Sequence, residues 1–340
     1  MSYKISLKMT DAATAGEFEN PMGRTILESV LAAGADYPHG CRAGNCGACK
    51  SHLISGEVEM SPYSEFALSN EEKARGLILA CRAVPWSDCE IEPIAVEDAA
   101  VHASRRLECR VAEIEAATHD IRIVRLDILS GGPFDYTAGQ YAELTFDGLP
   151  PRDFSMAAAP GADHLEFHVR RVAGGTVTTH VLENLSVGDP VRVSGPMGTA
   201  HYRAGHKGPM LLLAGGSGLA PIKAIIEAAL AGGQGLFVYF GARDERDIYL
   251  ESHFQDLAAR HGNLKFTVVL SEPDGPTMRR TGFLADAVAA DFTGLDGFKA
   301  YLAGPPVMVE SATEALTGLG LARRDCHADA FYTEPEKSNP

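Results

Sequence analysis

The chain has 340 residues, 45% of them hydrophobic and 22% charged, which is room for two or three soluble domains that each bury a core. Its formal charge of −15 argues against nucleic acid or an anionic membrane as the main partner, because both would repel it. The opening "MSYKISLKMT" lacks the apolar core of a signal peptide and no run approaches a transmembrane helix, so the expected setting is cytoplasmic, where the seven cysteines stay reduced.

In chain order, "YKISLKM" alternates at strand period, and "RTILESVLAAG" has helical spacing and stops at Gly34. "KSHLISGEVEM" reads as a hairpin around Gly56. Between the helix and the hairpin lies "HGCRAGNCGACK", with the spacing Cys41-x4-Cys46-x2-Cys49; the next cysteine, Cys81, follows the strand-like "LILA". Three thiolates from one loop and a fourth from a distant segment is the plant-type pattern for a [2Fe-2S] cluster. Gly40, Gly44 and Gly47 allow loop conformations closed to other residues and let backbone amides face the cluster sulfur. Cys89 is the competing fourth ligand; Cys81 is preferred because the apolar segment before it fixes its position. Structural zinc is the bland alternative, but zinc knuckles come as two Cys-x2-Cys pairs and only one is present. A Rieske centre would need two Cys/His pairs, and the only adjacent pair is Cys326-His327. Cys109 and Cys326 read as isolated thiols. Residues 1–100 carry 15 Asp/Glu against 8 Lys/Arg, a net of −7, which is either a docking surface for a redox partner or simply a solubilising skin.

From Pro93 to Arg106 the pattern dissolves into a linker. Beyond it, "CRVAEIEA", "IRIVRLDI", "QYAELTF", "HLEFHVRRV" and "DPVRVSG" are short strand-like runs at near-regular spacing, the pattern of a β-barrel. Two features there carry chemistry: "RDFS", Arg152 to Ser155, and the turn through Gly174 and Gly175 into Thr176 and Thr178. An arginine and a glycine-hydroxyl turn suit a diphosphate, although on the residues alone the signal is weak.

From Gly208 strands alternate with helices: "PMLLLAGGSGLAPIKAIIEAALAGG", "GLFVYFGARDERDIYLESHFQDLAARHG", "LKFTVVLSE" and "KAYLAGPPVMVESATEALTGLG". This alternation implies a doubly wound parallel sheet. Gly215, Gly216, Ser217 and Gly218 sit between the first strand and its helix, where amides and the helix dipole favour a pyrophosphate. The turn lacks the Gly-x-Gly-x-x-Gly fingerprint, so a tight turn without a ligand is the competing reading.

Taken in order, "CRAGNCGAC", "RDFSMA", "GGSGLAP", "YFGARDERDIYL" and "YLAGPPVMV" span essentially the whole chain and resemble the electron-transfer reductases of bacterial ring-hydroxylating dioxygenases. "LEFHVRRVAGGTVT" and "HADAFYTEP" are most similar to the naphthalene dioxygenase reductases. The resemblance implies a multidomain α+β and α/β protein. Its parts would be an N-terminal β-grasp-like [2Fe-2S] ferredoxin domain over 1–97, a linker over 98–106, an antiparallel FAD-binding β-barrel over 107–205 and a C-terminal doubly wound parallel-sheet NAD-binding domain over 206–340. Phthalate-type relatives place the ferredoxin domain last and use FMN; the N-terminal cluster here points to FAD.

The resemblance also implies roles. Cys41, Cys46, Cys49 and Cys81 would hold the metal. Arg152 would contact the FAD pyrophosphate, Phe154 would pack on the isoalloxazine, Ser155 would bond near flavin N5, and Gly174, Gly175 and Thr178 would support the diphosphate. His168 and Arg170 join the cofactor-binding set. Gly215 to Gly218 would receive the NADH pyrophosphate, with Gly241, Arg243, Gly304 and Pro305 around the nicotinamide dinucleotide. Ser155, Asp329 and Phe331 are the candidates at the reacting face, with Phe331 covering the flavin until nicotinamide displaces it. The chain departs from the family at Phe154, commonly tyrosine, at Ala303, often cysteine, and at Asp329, where a glutamate is common. Asp244 and Glu245 would repel a 2′-phosphate while Arg243 and Arg246 would attract one; NADH is the expected donor and NADPH the alternative.

The implied function is transfer of hydride from NADH to FAD and of single electrons through the cluster to a separate ferredoxin or a terminal oxygenase. No general base is nominated, and none of the twelve histidines lies in a catalytic arrangement. Two rivals stay open: a reductase of a phenol or methane hydroxylase type of monooxygenase, and a redox sensor with a degenerate nicotinamide site.

Overall fold

The computed structural model describes residues 2–8, 16–35, 37–39, 42–44, 47–65, 67–94 and 102–333. The chain divides into two compact units, Met1–Ala99 with Tyr332–Pro340, and Ala100–Phe331. No helix among the described residues is long and apolar enough to cross a membrane.

The smaller unit is built on β1 (Ser2–Leu7), β2 (Gly16–Pro21), α1 (Ile26–Ala32), β3 (Lys50–Ser55), β4 (Val58–Met60), α2 (Asn70–Ala74), β5 (Leu77–Leu79), β6 (Ala83–Pro85) and β7 (Cys89–Pro93). Five strands form one mixed sheet in the order β2-β1-β7-β3-β5, with β1 and β7 parallel, the arrangement of a β-grasp fold. A capping box starts α1: Thr25 Oγ1 accepts from the Glu28 amide, and Glu28 accepts from the Thr25 amide. Ile26, Leu27 and Val30 of this helix bury against Ile5, Leu79 and Ile91 of the sheet. The expected hairpin around Gly56 does not form. β3 pairs with β5 and β7, whereas β4 pairs with β6 in a second, two-stranded sheet. Gly56, at φ +98°, turns the chain out of the first sheet so close to the Asp88 carbonyl that a Cβ would stand 2.4 Å from it.

The larger unit begins with six antiparallel strands: β8 (Arg105–Ala116), β9 (Ile121–Ser130), β10 (Tyr141–Phe146), β11 (Arg152–Ser155), β12 (Leu165–Arg170) and β13 (Pro190–Met197). Their order is β11-β10-β13-β8-β9-β12, and a bridge between Met156 and Phe167 joins the two edges into a barrel. β8 starts two residues inside the expected linker. All five strand-like runs are strands, and "RDFS" adds a short sixth. The barrel core takes alternate residues, such as Leu165, Phe167 and Val169 of β12. Helix α3 (Thr176–Glu183) buries Val177, Val181 and Leu182 against the same core.

A parallel sheet follows, with β14 (Met210–Gly215), β15 (Leu236–Ala242), β16 (Leu264–Leu270), β17 (Arg280–Thr281), β18 (Lys299–Gly304) and β19 (Cys326–Ala330) in the order β17-β16-β15-β14-β18-β19. Its helices are α4 (Leu219–Ala229), α5 (Glu251–Arg260), α6 (Leu284–Asp291) and α7 (Pro306–Gly318). Central strand β14 is buried on both faces: Met210, Leu212 and Ala214 enter one core and Leu211 and Leu213 the other, which is why it reads as an unbroken apolar run. The order reverses between β14 and β18. The crevice beyond the carboxyl ends of those two strands is the topological switch point, where open α/β sheets bind ligands. The two-residue β17 and the final β19 lie outside the expected strand set; both are edge strands, β17 too short to show a pattern and β19 half-buried throughout with no alternation to read.

Candidate functional site

In the smaller unit, Cys81 follows β5 with its backbone amide 3.5 Å from Cys49 Sγ, which brings these two cysteines together. An N–H directed at sulfur stabilises a thiolate, which suits a thiolate-bound cluster. Cys41 and Cys46 lie outside the described residues. Cys89 is committed elsewhere: its Sγ is 3.3 Å from the Ser87 carbonyl, and burial pushes its pKa up, which disfavours the thiolate a metal needs.

In the larger unit, β11 presents Arg152, Phe154 and Ser155. Arg152 is half-buried and donates to the Pro151 carbonyl at 2.7 Å. Phe154 packs on the rim of the barrel core. Ser155 Oγ, buried, donates to Asp329 Oδ2 at 3.2 Å, which links the barrel edge to β19 of the parallel sheet across 174 positions of sequence. On the turn between β12 and α3, Gly174 has φ +72° with open space around it. Gly175 is the N-cap of α3 and has no side chain to spend on the first amides, so these stay available. Thr178 Oγ1 accepts from the Val172 amide at 3.1 Å and donates to the Gly175 carbonyl at 3.3 Å, which holds the turn in shape. An open, glycine-lined helix start is the geometry that a diphosphate fits.

The second turn is far more crowded. Gly215 ends β14, and Gly216 to Gly218 form one 3-10 turn before α4. A Cβ on Gly218 would stand 2.0 Å from the Ala303 carbonyl, and one on Gly215 2.6 Å from Met308 Sδ. Opposite, Gly304 ends β18 at φ +145° and packs on Gly215, and its carbonyl accepts the Phe331 amide at 2.9 Å. Gly304, Pro305, Asp329 and Phe331 thus gather at the switch point beside the glycine turn. At Gly241 a Cβ would meet Leu284 Cγ at 3.1 Å, a tight fit against a side chain that would have to shift. Arg243 is over half exposed and lies 3.7 Å from Asp247 Oδ2.

His168 departs from expectation. Its side chain is wholly enclosed, with Nε2 3.3 Å from Glu166 Oε1 and Nδ1 3.0 Å from the Tyr249 hydroxyl, so the ring is no cofactor contact. Burial, opposed by Glu166, pushes its pKa down. Burial alone would raise the Glu166 carboxyl, but the bond from His168 together with Lys223 and Arg125 hold it well below the ordinary range. Arg170 donates through Nε to Asp120 Oδ2 at 2.8 Å and extends its guanidinium beside Gly216, where a Cβ would come 2.7 Å from Nη1. Sequence reasoning missed Glu166, Lys223, Tyr249 and Arg279. Arg279, for example, is clamped by Glu245 at 2.8 Å and Glu251 at 2.6 Å, pairings made between positions far apart in the chain.

Family comparisons match the three regions separately: a 2Fe-2S iron-sulfur cluster binding domain over residues 9–85, an oxidoreductase FAD-binding domain over 108–202 and an oxidoreductase NAD-binding domain over 212–314. The chain is 39% identical to the ferredoxin–NAD(P)+ reductase component of the naphthalene 1,2-dioxygenase/salicylate 5-hydroxylase systems of Ralstonia sp., over 91% of this chain and 94% of that one. The chain belongs to the reductase components of bacterial aromatic-ring-hydroxylating oxygenase systems. The reductase is also 35% identical to the reductase component of phenol 2-monooxygenase from Pseudomonas sp. strain CF600, over 98% of this chain and 95% of the relative. Its fold matches the crystal structure of an Amycolatopsis cytochrome P450 reductase with a TM-score of 0.77 and 35% identity, covering 97% and 98% of the two chains. The reductase is therefore an NADH-dependent oxidoreductase of flavin and iron-sulfur type, with domains for FAD, NAD and a [2Fe-2S] cluster. When bound, FAD would supply the step that nicotinamide and iron-sulfur cannot make directly, accepting the two electrons of one hydride together and passing them on singly.

Proposed function

We propose that the reductase serves an aromatic-ring-hydroxylating dioxygenase system, with NADH as donor and a separate ferredoxin or the terminal oxygenase as acceptor. The observation that carries the site reading is the Ser155–Asp329 hydrogen bond, which brings the edge of the barrel and the last strand of the parallel sheet to one reaction face beside Gly304 and Phe331. Arg152, Gly174, Gly175 and Thr178 would hold the FAD diphosphate, and Phe154 would pack on its ring system. Ser155 spends its proton on Asp329, which leaves its oxygen lone pairs as acceptors near the reacting edge. Gly215 to Gly218 would seat the NADH pyrophosphate with Arg170 beside them, and Gly304 and Pro305 would border the nicotinamide. Phe331 would cover the flavin face in the absence of nicotinamide. These groups bind and orient; none is placed to act as a general base.

Cys41, Cys46, Cys49 and Cys81 would ligate the cluster in a domain over 1–97; the barrel domain would start with β8 at Arg105, ahead of the expected 107, and run to 205, and the NAD-binding domain would run from 206 to 331, short of the expected 340. The excess of acid over base in residues 1–100 supports docking of a basic acceptor surface. A reducing, cytoplasmic setting fits the free thiols of Cys89, Cys109 and Cys326. Glu245, although paired with Arg279, and the neighbouring Asp244 support NADH over NADPH.

A monooxygenase system is the second reading, favoured by the full-length similarity to the phenol 2-monooxygenase component. Anaerobic mixing with NADH should bleach flavin absorbance first and cluster absorbance second. Reconstitution with a ring-hydroxylating dioxygenase and its ferredoxin, set against a multicomponent monooxygenase, should then give product only with the dioxygenase. Turnover only with the monooxygenase would overturn the first reading, and an unbleached flavin would overturn both.

A further inference from the structure

Strand β12 carries two stripes. Leu165, Phe167 and Val169 face the barrel core, while Glu166, His168 and Arg170 project from the opposite face. Three ionisable side chains on one buried face are costly unless each finds a partner. Every partner beyond the barrel leads to the glycine turn after β14 or to the helix that follows it. Glu166 accepts from Arg125 Nε at 2.8 Å and from Lys223 Nζ of α4 at 3.2 Å. Lys223 also meets Glu227 Oε1 at 3.1 Å and donates to the Ala157 carbonyl of the barrel at 3.2 Å. Enclosure of the ring, with Lys223 and Arg125 nearby, outweighs the pull of Glu166, so His168 sits among them uncharged. With its proton on Nε2 facing Glu166, Nδ1 becomes an acceptor for the Tyr249 hydroxyl. That hydroxyl lies 3.0 Å from His168 Nδ1 and 3.3 Å from the Gly216 carbonyl, sharing one proton between the two. The Tyr249 ring is fixed edge-on against His168 and Phe240, so the hydroxyl has no freedom to wander.

We propose that Tyr249, held by His168 and Glu166, is a positioning residue for the nicotinamide dinucleotide. By anchoring the Gly216 carbonyl to the barrel strand it aims the amides of Gly216 to Gly218 at the pyrophosphate and sets that ligand's distance from the flavin barrel. This role rests on the reading of the turn as the pyrophosphate seat. His168 and Glu166 touch no ligand and act through Tyr249.

The test uses the full-length holoprotein. Tyr249→Phe removes one oxygen and keeps the ring. Binding is read by calorimetric titration with NAD+, and turnover by NADH-dependent ferricyanide reduction. The expected result is a KM for NADH and a Kd for NAD+ both raised about 5- to 10-fold, the size of one lost hydrogen bond, with kcat within twofold. FAD content and thermal midpoint should match the parent protein. Tyr249→Phe combined with His168→Gln should weaken NAD+ binding no further than the weaker-binding single variant, because the two residues act in series. Gly216→Ala is the control for the turn itself. If Gly216→Ala leaves NAD+ affinity unchanged, the pyrophosphate reading of the turn fails and the proposal with it. If Gly216→Ala weakens binding but Tyr249→Phe does not, the turn reading stands and the positioning role alone is overturned. Additive losses in the double variant, or a Tyr249→Phe effect confined to FAD content or stability, also overturn it.

Discussion

After β12 the reductase passes Gly174 and Gly175 into α3, and after β14 it passes Gly215 to Gly218 into α4; both are strand, glycine turn and helix. Around Gly174 there is open space, and a threonine hydroxyl folds back to brace the turn. Around Gly218 the Ala303 carbonyl would lie 2.0 Å from any Cβ, and bracing comes from Tyr249 and β12 instead. Gly174 at the first turn serves backbone conformation, and Gly215 and Gly218 at the second serve close approach. A sequence shows two similar glycine clusters; only the packing separates these reasons.

The largest expected effect comes from testing the crowded turn. Gly218→Ala forces backbone apart, since the clashing atoms are the Ala303 carbonyl and the Gly304 amide nitrogen. NADH-dependent ferricyanide reduction should fall at least about a hundredfold, a loss of about 2.7 kcal/mol, while barrel-bound FAD is retained. Near-parental activity would show that the turn is not as tight as described. At the braced turn, Thr178→Ala deletes one hydroxyl and two hydrogen bonds. We expect about a tenfold weaker hold on FAD, near 1.4 kcal/mol, read by flavin fluorescence on dilution, with the KM for NADH within twofold. Equal damage to NADH binding would erase the distinction between the turns. Gly174→Ala should cost only about 1 kcal/mol of FAD affinity, the strain of a left-handed alanine in open space. An effect as large as that of Gly218→Ala would mean that Gly174, too, is there for close approach.

The smallest effect is the part of the pH dependence that comes from the parallel-sheet side, beside that of the buried His168 on the barrel. Burial, then Arg203, Lys299 and His201, lower the pKa of His327 on β19 to about 3, with Asp325 opposing. The folded protein keeps this ring neutral below the ordinary value of 6.5, while the unfolded chain takes up a proton. The ring therefore subtracts stability as pH falls from about 6.5 towards 3. Thr178 and the flavin-turn amides keep their protons over that range. His327→Gln should reduce the loss of stability between pH 7.5 and 5.5 by on the order of 1 kcal/mol or less in urea titrations. An unchanged acid slope would remove His327 from the account.

Reading the chain succeeded where chemistry is written locally. The spacing of Cys41, Cys46 and Cys49, the unbroken apolar run of β14 and the alternation of β8 to β13 each lie within a few neighbouring residues, and that is enough to name three domains and their cofactors. It failed where a partner comes from elsewhere. Gly56 looked like a hairpin apex because the sequence does not show that β3 and β4 join different sheets. His168 looked like a ligand contact because its neighbours in the strand do not reveal Tyr249, 81 positions away.

The period of hydrophobic residues and the order of glycine and cysteine clusters determined the architecture, since they act over one turn or one strand. Which polar side chains meet was decided only by the tertiary structure: the Ser155–Asp329 bond, the Glu166–Lys223 pair and the Tyr249–Gly216 contact all close loops of tens to hundreds of residues. Such contacts exist only after the cores have fixed the strands that carry them, because a buried hydrogen bond is made by geometry that no local stretch of chain specifies.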